Sequence, residues 1–264
     1  MTTEPLLRAR AVGLRRGSAA LVRGVTLDAH RGEVLGLVGP NGAGKTTLLG
    51  LLAGDLRASE GTIAFDGVPI ERLSELELAK RRAVMAQSTE VAFAFTALEI
   101  VLFGRSPFGA RESAEDLAIA REAIEKVGLG ALANRRYPEL SGGEQQRVHL
   151  ARTLAQVSLG RTGLALFLDE PTASLDPAHQ HRALAMAREI AAAGLAVVAV
   201  LHDLDLAARY CDRVALMSNG ELVRAGPPRE VFESSVLKAV FDIGARVIPA
   251  PWDASKVSVI FDPS

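Results

Sequence analysis

The stretch Gly39-Pro40-Asn41-Gly42-Ala43-Gly44-Lys45-Thr46 fits the pattern G-x-x-x-x-G-K-[ST], and it constrains the chain more than any other feature. Such a loop works only between a strand that delivers it and a helix that follows it. From Arg23 to Val38 the run containing VTLDAHRGEVLGLV reads as a strand, a polar turn at Arg31 and Gly32, and a buried strand entering Gly39. Thr46 to Ala53 reads as a short helix with apolar Leu48, Leu49, Leu51 and Leu52, stopped at Gly54. The glycines let backbone N–H groups turn inward around phosphate oxygens, and the helix aims its N-terminus at the same anion. Lys45 would reach the β and γ phosphates and Thr46 would ligate Mg2+, so ATP and Mg2+ are the expected cofactors.

The other half of such a metal site is an acid at the end of a buried strand, and Leu164-Ala165-Leu166-Phe167-Leu168-Asp169-Glu170 supplies it. Asp169 is expected to hold Mg2+ through water, and Glu170 to orient or deprotonate the attacking water. By themselves two acids closing a strand mark a solvated turn; beside the glycine loop they become chemistry.

Short strands are expected at Thr62 to Phe65 and Val84 to Ala86, separated by a turn and helix over Glu71 to Arg82. From about Phe93 to Val157 helical patterning takes over, notably Ser113 to Val127 and Gly142 to Ala155. Strand character returns at Leu164 to Leu168 and Ala196 to Leu201, with an Ala-rich helix from Ala178 to Ala193 between them. Buried runs joined by helices imply an α/β fold whose parallel sheet is covered on both faces. The expected division is a catalytic core of 1–92 and 158–240, a helical insert of 93–157 and a C-terminal extension of 241–264. The tail from Pro249 is Pro-rich and carries no clear pattern.

At 264 residues and 48% hydrophobic content, a buried core is assured. Lys and Arg total 30 against 31 Asp and Glu, and the net charge of −1 offers no basic excess for nucleic acid. The single cysteine, Cys211, excludes an internal disulfide and reads as a small buried hydrophobe. The N-terminus lacks the layout of a signal peptide, and Leu195 to Leu201 is too short to span a bilayer. A cytoplasmic protein is expected, which would have to dock onto another chain to work at a membrane.

Leu140-Ser141-Gly142-Gly143-Glu144-Gln145-Gln146-Arg147 opens a helix with an S-x-x-E capping box. Paired glycines cost about 1 kcal/mol each against alanine in a helix interior, but they leave the N–H groups open to a phosphate. This stretch resembles the signature of ATP-binding cassette (ABC) ATPases, and the resemblance covers roughly residues 6 to 235. It implies a P-loop NTPase (RecA-like) fold with a parallel sheet core, an N-terminal antiparallel β portion and an inserted helical subdomain. It further implies that Gln87 links metal and water to the insert, that Ser174-Leu175-Asp176 crosses a dimer interface, and that His202 lies near the γ-phosphate. Glu170, His202 and Gln87 are thus the implied catalytic residues, and Thr46, Gln87 and Asp169 the implied metal site. In this family two copies pair head to tail, so Ser141, Gly142, Gly143, Glu144 and Gln145 of one would close on ATP held by Gly39 to Thr47 of the other. One departure is visible. Where the family places an aromatic ring against adenine, this chain has Arg15, Arg16 and Gly17. Arg16 either stacks its guanidinium on the base or sits on the solvated surface.

A narrower resemblance points to import. Ala97 to Pro107, ALEIVLFGRSP, is similar to the Gly-Arg-x-Pro segment of cassettes serving iron-siderophore, heme and cobalamin uptake. Within that branch, Arg81 to Gln87, Phe93-Ala94-Phe95-Thr96 and Ala178-His179-Gln180-His181 most resemble bacterial hemin-import ATPases. The implied partners are a second copy, two copies of a transmembrane permease and, indirectly, a periplasmic substrate-binding protein. The implied location is peripheral, on the cytoplasmic face of the inner membrane. Siderophore or cobalamin cargo is the nearest alternative. A soluble cassette switch is a different class, but such proteins carry two cassettes or long coiled coils. A sensor without turnover is disfavoured by Glu170 and His202. His179 and His181 read as surface residues. Phe93, Phe95, Leu102, Phe103 and Phe108 form an apolar cluster with two readings, core of the insert or a groove for a permease helix.

Overall fold

The structure, a computed structural model, describes residues 4–86, 95–109, 113–157 and 164–262. Gln87 and Phe93, singled out above, lie outside the described residues.

The chain opens with β1 (Leu7–Arg16), β2 (Ala19–Ala29) and β3 (Val34–Val38), followed by α1 (Lys45–Ala53). Next come β4 (Glu60–Phe65), β5 (Val68–Pro69), α2 (Glu75–Arg81) and β6 (Arg82–Met85). A helical stretch follows: α3 (Ala97–Leu102), a 3-10 turn at Phe103–Phe108, α4 (Ala114–Lys126) and α5 (Gly142–Gln156). Then β7 (Ala165–Asp169), α6 (Pro177–Ala192), β8 (Ala196–Val200), α7 (Leu204–Tyr210), β9 (Arg213–Ser218) and β10 (Glu221–Gly226) alternate. The C-terminal part holds α8 (Pro228–Val231), α9 (Ser234–Phe241), β11 (Gly244–Ala250) and β12 (Asp253–Asp262).

The described residues form three sheets. β2-β1-β4-β5 is antiparallel, β10-β9-β3-β8-β7-β6 is parallel except for β10 at its edge, and β11-β12 is a hairpin. In the central sheet Leu35 lies opposite Val198 on one side and Arg213 on the other, while Leu166 pairs with Val197 and Ala83. The α/β expectation, with a parallel core, an antiparallel N-terminal portion and inserted helices, is met.

Every residue of β3, β7 and β8 is buried, and the alternation of side chains explains how. Leu35, Leu37, Phe167, Val198 and Val200 face one core, shared with α1 and the antiparallel sheet. Val34, Val38, Leu166, Leu168, Val197 and Ala199 face the other, which continues without a break into α3, α4, α5 and α6. Cys211 is fully buried in that second core, where a β-carbon on Gly36 would press on its sulfur at 2.7 Å. Burial pushes its thiol up to about 12, so it packs as a hydrophobe.

Caps set the helices. Ser74, Thr96, Ser113 and Ser141 each close a capping box, so α2, α3, α4 and α5 begin where the sequence places a hydroxyl three residues before an acid. α1 ends on Gly54 at φ 78. The tail that lacked a pattern folds as the β11-β12 hairpin, pinned by Asp205 of α7, which accepts from the Val259 amide at 2.8 Å and the Ser258 hydroxyl at 2.9 Å.

Candidate nucleotide site

β3 ends at Val38 and the chain turns at once into the glycine loop, whose far end is the first turn of α1. No side chain caps α1 and its first turn holds no acid, so its N–H groups are left for an anion. Gly44 takes φ 94, and a β-carbon there would run into the Leu21 carbonyl. The turn therefore needs glycine both for its dihedral and for its neighbour. Lys45 is 5% exposed and donates from Nζ to the Gly39 and Pro40 carbonyls, both at 2.9 Å. Its own loop thus holds the ammonium over the phosphate position. Burial lowers its pKa, opposed by the charges of Glu170 and Asp169.

β7 carries Asp169 to the same place. The Thr46 hydroxyl donates to Asp169 Oδ1 at 3.0 Å. Burial raises the pKa of Asp169, more than the Thr46 hydrogen bond lowers it. Asp169 is 4% exposed, and the charges of Lys45 and His202 act on it without outweighing its burial. Hard oxygens from Thr46 and Asp169 side by side fit a Mg2+ ion.

One residue on, Glu170 adopts φ 53, a conformation costly for a side chain with a β-carbon. The turn swings its carboxylate toward β8, where Oε1 meets His202 Nε2 at 2.6 Å. Glu170, His202, Leu21, Asn41, Gly42, Ala43, Gly44, Lys45, Thr46 and Thr47 line one cleft of about 250 Å³. Two residues escaped sequence reasoning. Leu21 lines the cleft from β2 of the antiparallel sheet, and Gln146 of α5, outside the cleft, donates to the Glu170 carbonyl at 2.9 Å, bracing the strained turn. Neither has a local sequence signal, because each depends on strand or helix packing.

The remaining expected residues that the structure describes do not line that cleft. Arg16 is exposed at the end of β1 and does not line it. Ser141 and Gly142 are exposed at the start of α5, with open space around Gly142. Glu144 is committed to the capping box, bonding the Ser141 hydroxyl at 2.9 Å, and Gln145 donates to the Tyr137 and Leu140 carbonyls at 3.2 Å. Ser141 and Gly142 are the exposed residues at this end of α5, while Gly143 packs beside Ser174 and Leu175. Asp176 caps α6 and bonds His179 Nδ1 at 2.8 Å, while His181 bonds the Tyr210 hydroxyl at 2.8 Å. The two histidines therefore have separate partners.

An ABC transporter family model matches residues 22–173, which runs from β2 through the glycine loop and α5 to the turn after Glu170. The chain belongs to the ABC transporter family. Curated relatives include the hemin import ATP-binding protein HmuV of Pseudomonas fluorescens strain Pf0-1, 46% identical over 93% of this chain and 96% of its own length. The hemin import ATP-binding protein HmuV of Streptomyces coelicolor is 47% identical over 94% of this chain and 87% of its own. Among solved structures, an inward-facing metal-chelate type ABC transporter superposes with a TM-score of 0.83 at 26% identity, covering 99% of this chain and 98% of that one. A dimeric ATP-binding cassette in a post-hydrolysis state with ADP and Pi gives 0.74 at 27% identity, covering 84% of this chain and 99% of that one. An ABC cassette of this kind binds ATP, and the 3.0 Å Thr46 to Asp169 contact stands at its loop. Among the described residues, no helix of this ABC chain is long and apolar enough to cross a membrane.

Proposed function

We propose that this chain is the ATP-hydrolysing subunit of an importer that carries heme through a partner permease. The observation that carries the ATPase reading is the Glu170 to His202 pair facing the Lys45 loop across one cleft. Relatives of 46% and 47% identity named for hemin import carry the cargo.

In this reading the amides of Gly42, Gly44 and Lys45 and the N-terminus of α1 cradle the phosphates, and the Lys45 ammonium holds the β and γ groups. Thr46, Asp169 and Gln87 would hold Mg2+, which when bound draws charge off the β and γ oxygens. Glu170 accepts the proton of the attacking water as its oxygen bonds to the γ-phosphorus and the bond to the bridging oxygen breaks, leaving ADP and phosphate. His202 keeps the carboxylate turned toward that water.

Ser141, Gly142 and Gly143 do not line the cleft of their own chain, which supports a site completed by a second copy. Residues 93–157 would then move as a unit, bringing the start of α5 onto the partner's ATP. The apolar cluster divides: Leu102 is buried, Phe103 is 46% exposed, and Phe95 meets Phe103 edge-on at 5.0 Å. Leu102 serves the core, and the two rings are suited to a cytoplasmic helix of the permease. The assembly would lie on the inner face of the membrane and be fed by a periplasmic binding protein.

A second reading, uptake of another metal chelate, draws on the 0.83 superposition with a metal-chelate type transporter. Reconstituting the chain with its permease and binding protein separates them: heme loading should raise ATP turnover and uptake. Stimulation by a ferric siderophore or cobalamin but not by heme would sink the heme assignment.

A further inference from the structure

Gly104 and Arg105 have no part in the nucleotide chemistry, yet both close onto α5. A β-carbon on Gly104 would collide with the Arg152 carbonyl and lie 3.4 Å from the Gln156 amide, so only glycine seats the Phe103–Phe108 turn against this helix. From the next position Arg105 reaches, among the described residues, in three directions. Its Nε donates to Asp116 Oδ1 of α4 at 2.8 Å, its Nη1 donates to the Ala155 carbonyl at 2.8 Å, and its guanidinium lies 4.2 Å from the Phe108 ring centre. The Arg105 and Asp116 side chains are only 11% and 14% exposed, so solvent screens this pair little.

The last turn of α5 has no basic residue of its own. Arg105 therefore supplies the cation that a helix C-terminus attracts. One residue beyond, Gln156 donates to the Ala79 and Arg82 carbonyls at 2.8 and 3.0 Å, tying the same helix end to the junction of α2 and β6. On the outer side of the turn, Phe103 is 46% exposed against Phe95. Two consecutive residues thus join an aromatic pair, Phe103 facing solvent and Phe95 partly buried against the core, to one end of a helix whose other end begins at Ser141.

We propose that Arg105 is a positioning residue that rivets the Phe95 and Phe103 surface to the C-terminal end of α5. A displacement of that surface by the permease is then carried along a helix about 22 Å long to Ser141, Gly142 and Gly143. The inference rests on the reading above that the permease docks on these rings. It requires the guanidinium fork, because a lysine can meet Asp116 or the Ala155 carbonyl but not both while stacking on Phe108.

The test uses the assembled complex of chain, permease and binding protein in proteoliposomes, with Arg105→Lys and Asp116→Asn assayed well below their own melting temperatures. Both should lower cargo-stimulated ATP turnover and uptake by about fivefold, with KM for ATP and the amount of co-purifying permease within about twofold of the parent. Normal stimulation in a folded Arg105→Lys complex overturns the proposal. So does an equal fall in the turnover of the chain without its permease, which would mark a purely structural role. Phe103→Ser separates the two readings. If it abolishes co-purification while Arg105→Lys stays normally coupled, the rivet alone fails; if it assembles and couples normally, the docking surface fails and the rivet with it.

Discussion

The backbone of Glu170 is strained, at φ 53, and among the described residues it is held by β7 behind it, the Ala173 amide and Gln146 on its carbonyl, and His202 on its carboxylate. Strain kept in place by this many contacts marks a side chain whose direction matters. Glu170→Gln keeps the shape and removes the base. We expect ATP binding to persist while turnover falls by about 100-fold or more, read as loss of phosphate release with retained nucleotide affinity. Normal turnover would remove Glu170 from the chemistry. The loop residues, Asp169 and Glu170 were legible because their signal is local: a fixed spacing next to a strand of unbroken apolar residues. Gln146 was not, since a glutamine in a helix announces nothing until the fold brings it to a carbonyl 24 positions away. Arg16 shows the opposite limit, because its side chain has no neighbours in sequence that decide between a base and solvent.

At the scale of elements, β3, β7 and β8 could be read as buried on both faces, whereas β11 and β12 could not. Their partners, Asp205 of α7 and the edge-to-face contact of Phe241 with Phe261 at 5.5 Å, come from outside the hairpin and give the strands no alternation to read. α5 combines both cases. Its capping box is written in the sequence, but its interior buries His149, whose Nε2 bonds the Tyr137 hydroxyl at 2.7 Å and whose Nδ1 has no partner among the described residues. Burial, helped by the charge of Arg152, pushes His149 down to about 4. An unfolded chain takes up this proton near 6.5, so between those values unfolding binds a proton that the folded chain refuses. The contribution is whole above about pH 6.5, falls by about 1.4 kcal/mol per unit as the pH drops, and levels off below about 4. Urea titrations from pH 7 to 4 should show that slope, and His149→Gln should flatten it by one proton. An unchanged acid limb in the variant would place the titration elsewhere.

For the whole molecule, the decisive fact is separation: the cleft at Lys45 and the exposed start of α5 at Ser141 belong to one chain but to different surfaces. A helix N-terminus with open space at Gly142 is built to meet an anion, yet its own chain does not bring one to it. The proposed head-to-tail pairing would resolve this, because a two-fold axis that brings one Ser141 to a neighbour's Lys45 brings the reciprocal pair together as well. The consequence can be counted. Lys45→Ala spoils the loop and Ser141→Arg spoils the signature, so a homodimer of either has two dead sites. In a mixed dimer one site inherits both lesions and the other inherits neither. Random mixing makes half the dimers mixed, with one good site of two, so an equal mixture should recover about a quarter of the parent's ATP turnover. Each variant is assayed alone, then after mixing under conditions that exchange subunits. Full turnover by Ser141→Arg alone would mean that one copy holds a complete site. Failure of the exchanged mixture to recover any turnover would mean that a single intact composite site does not suffice, and that both ATP molecules must be held before either is cut.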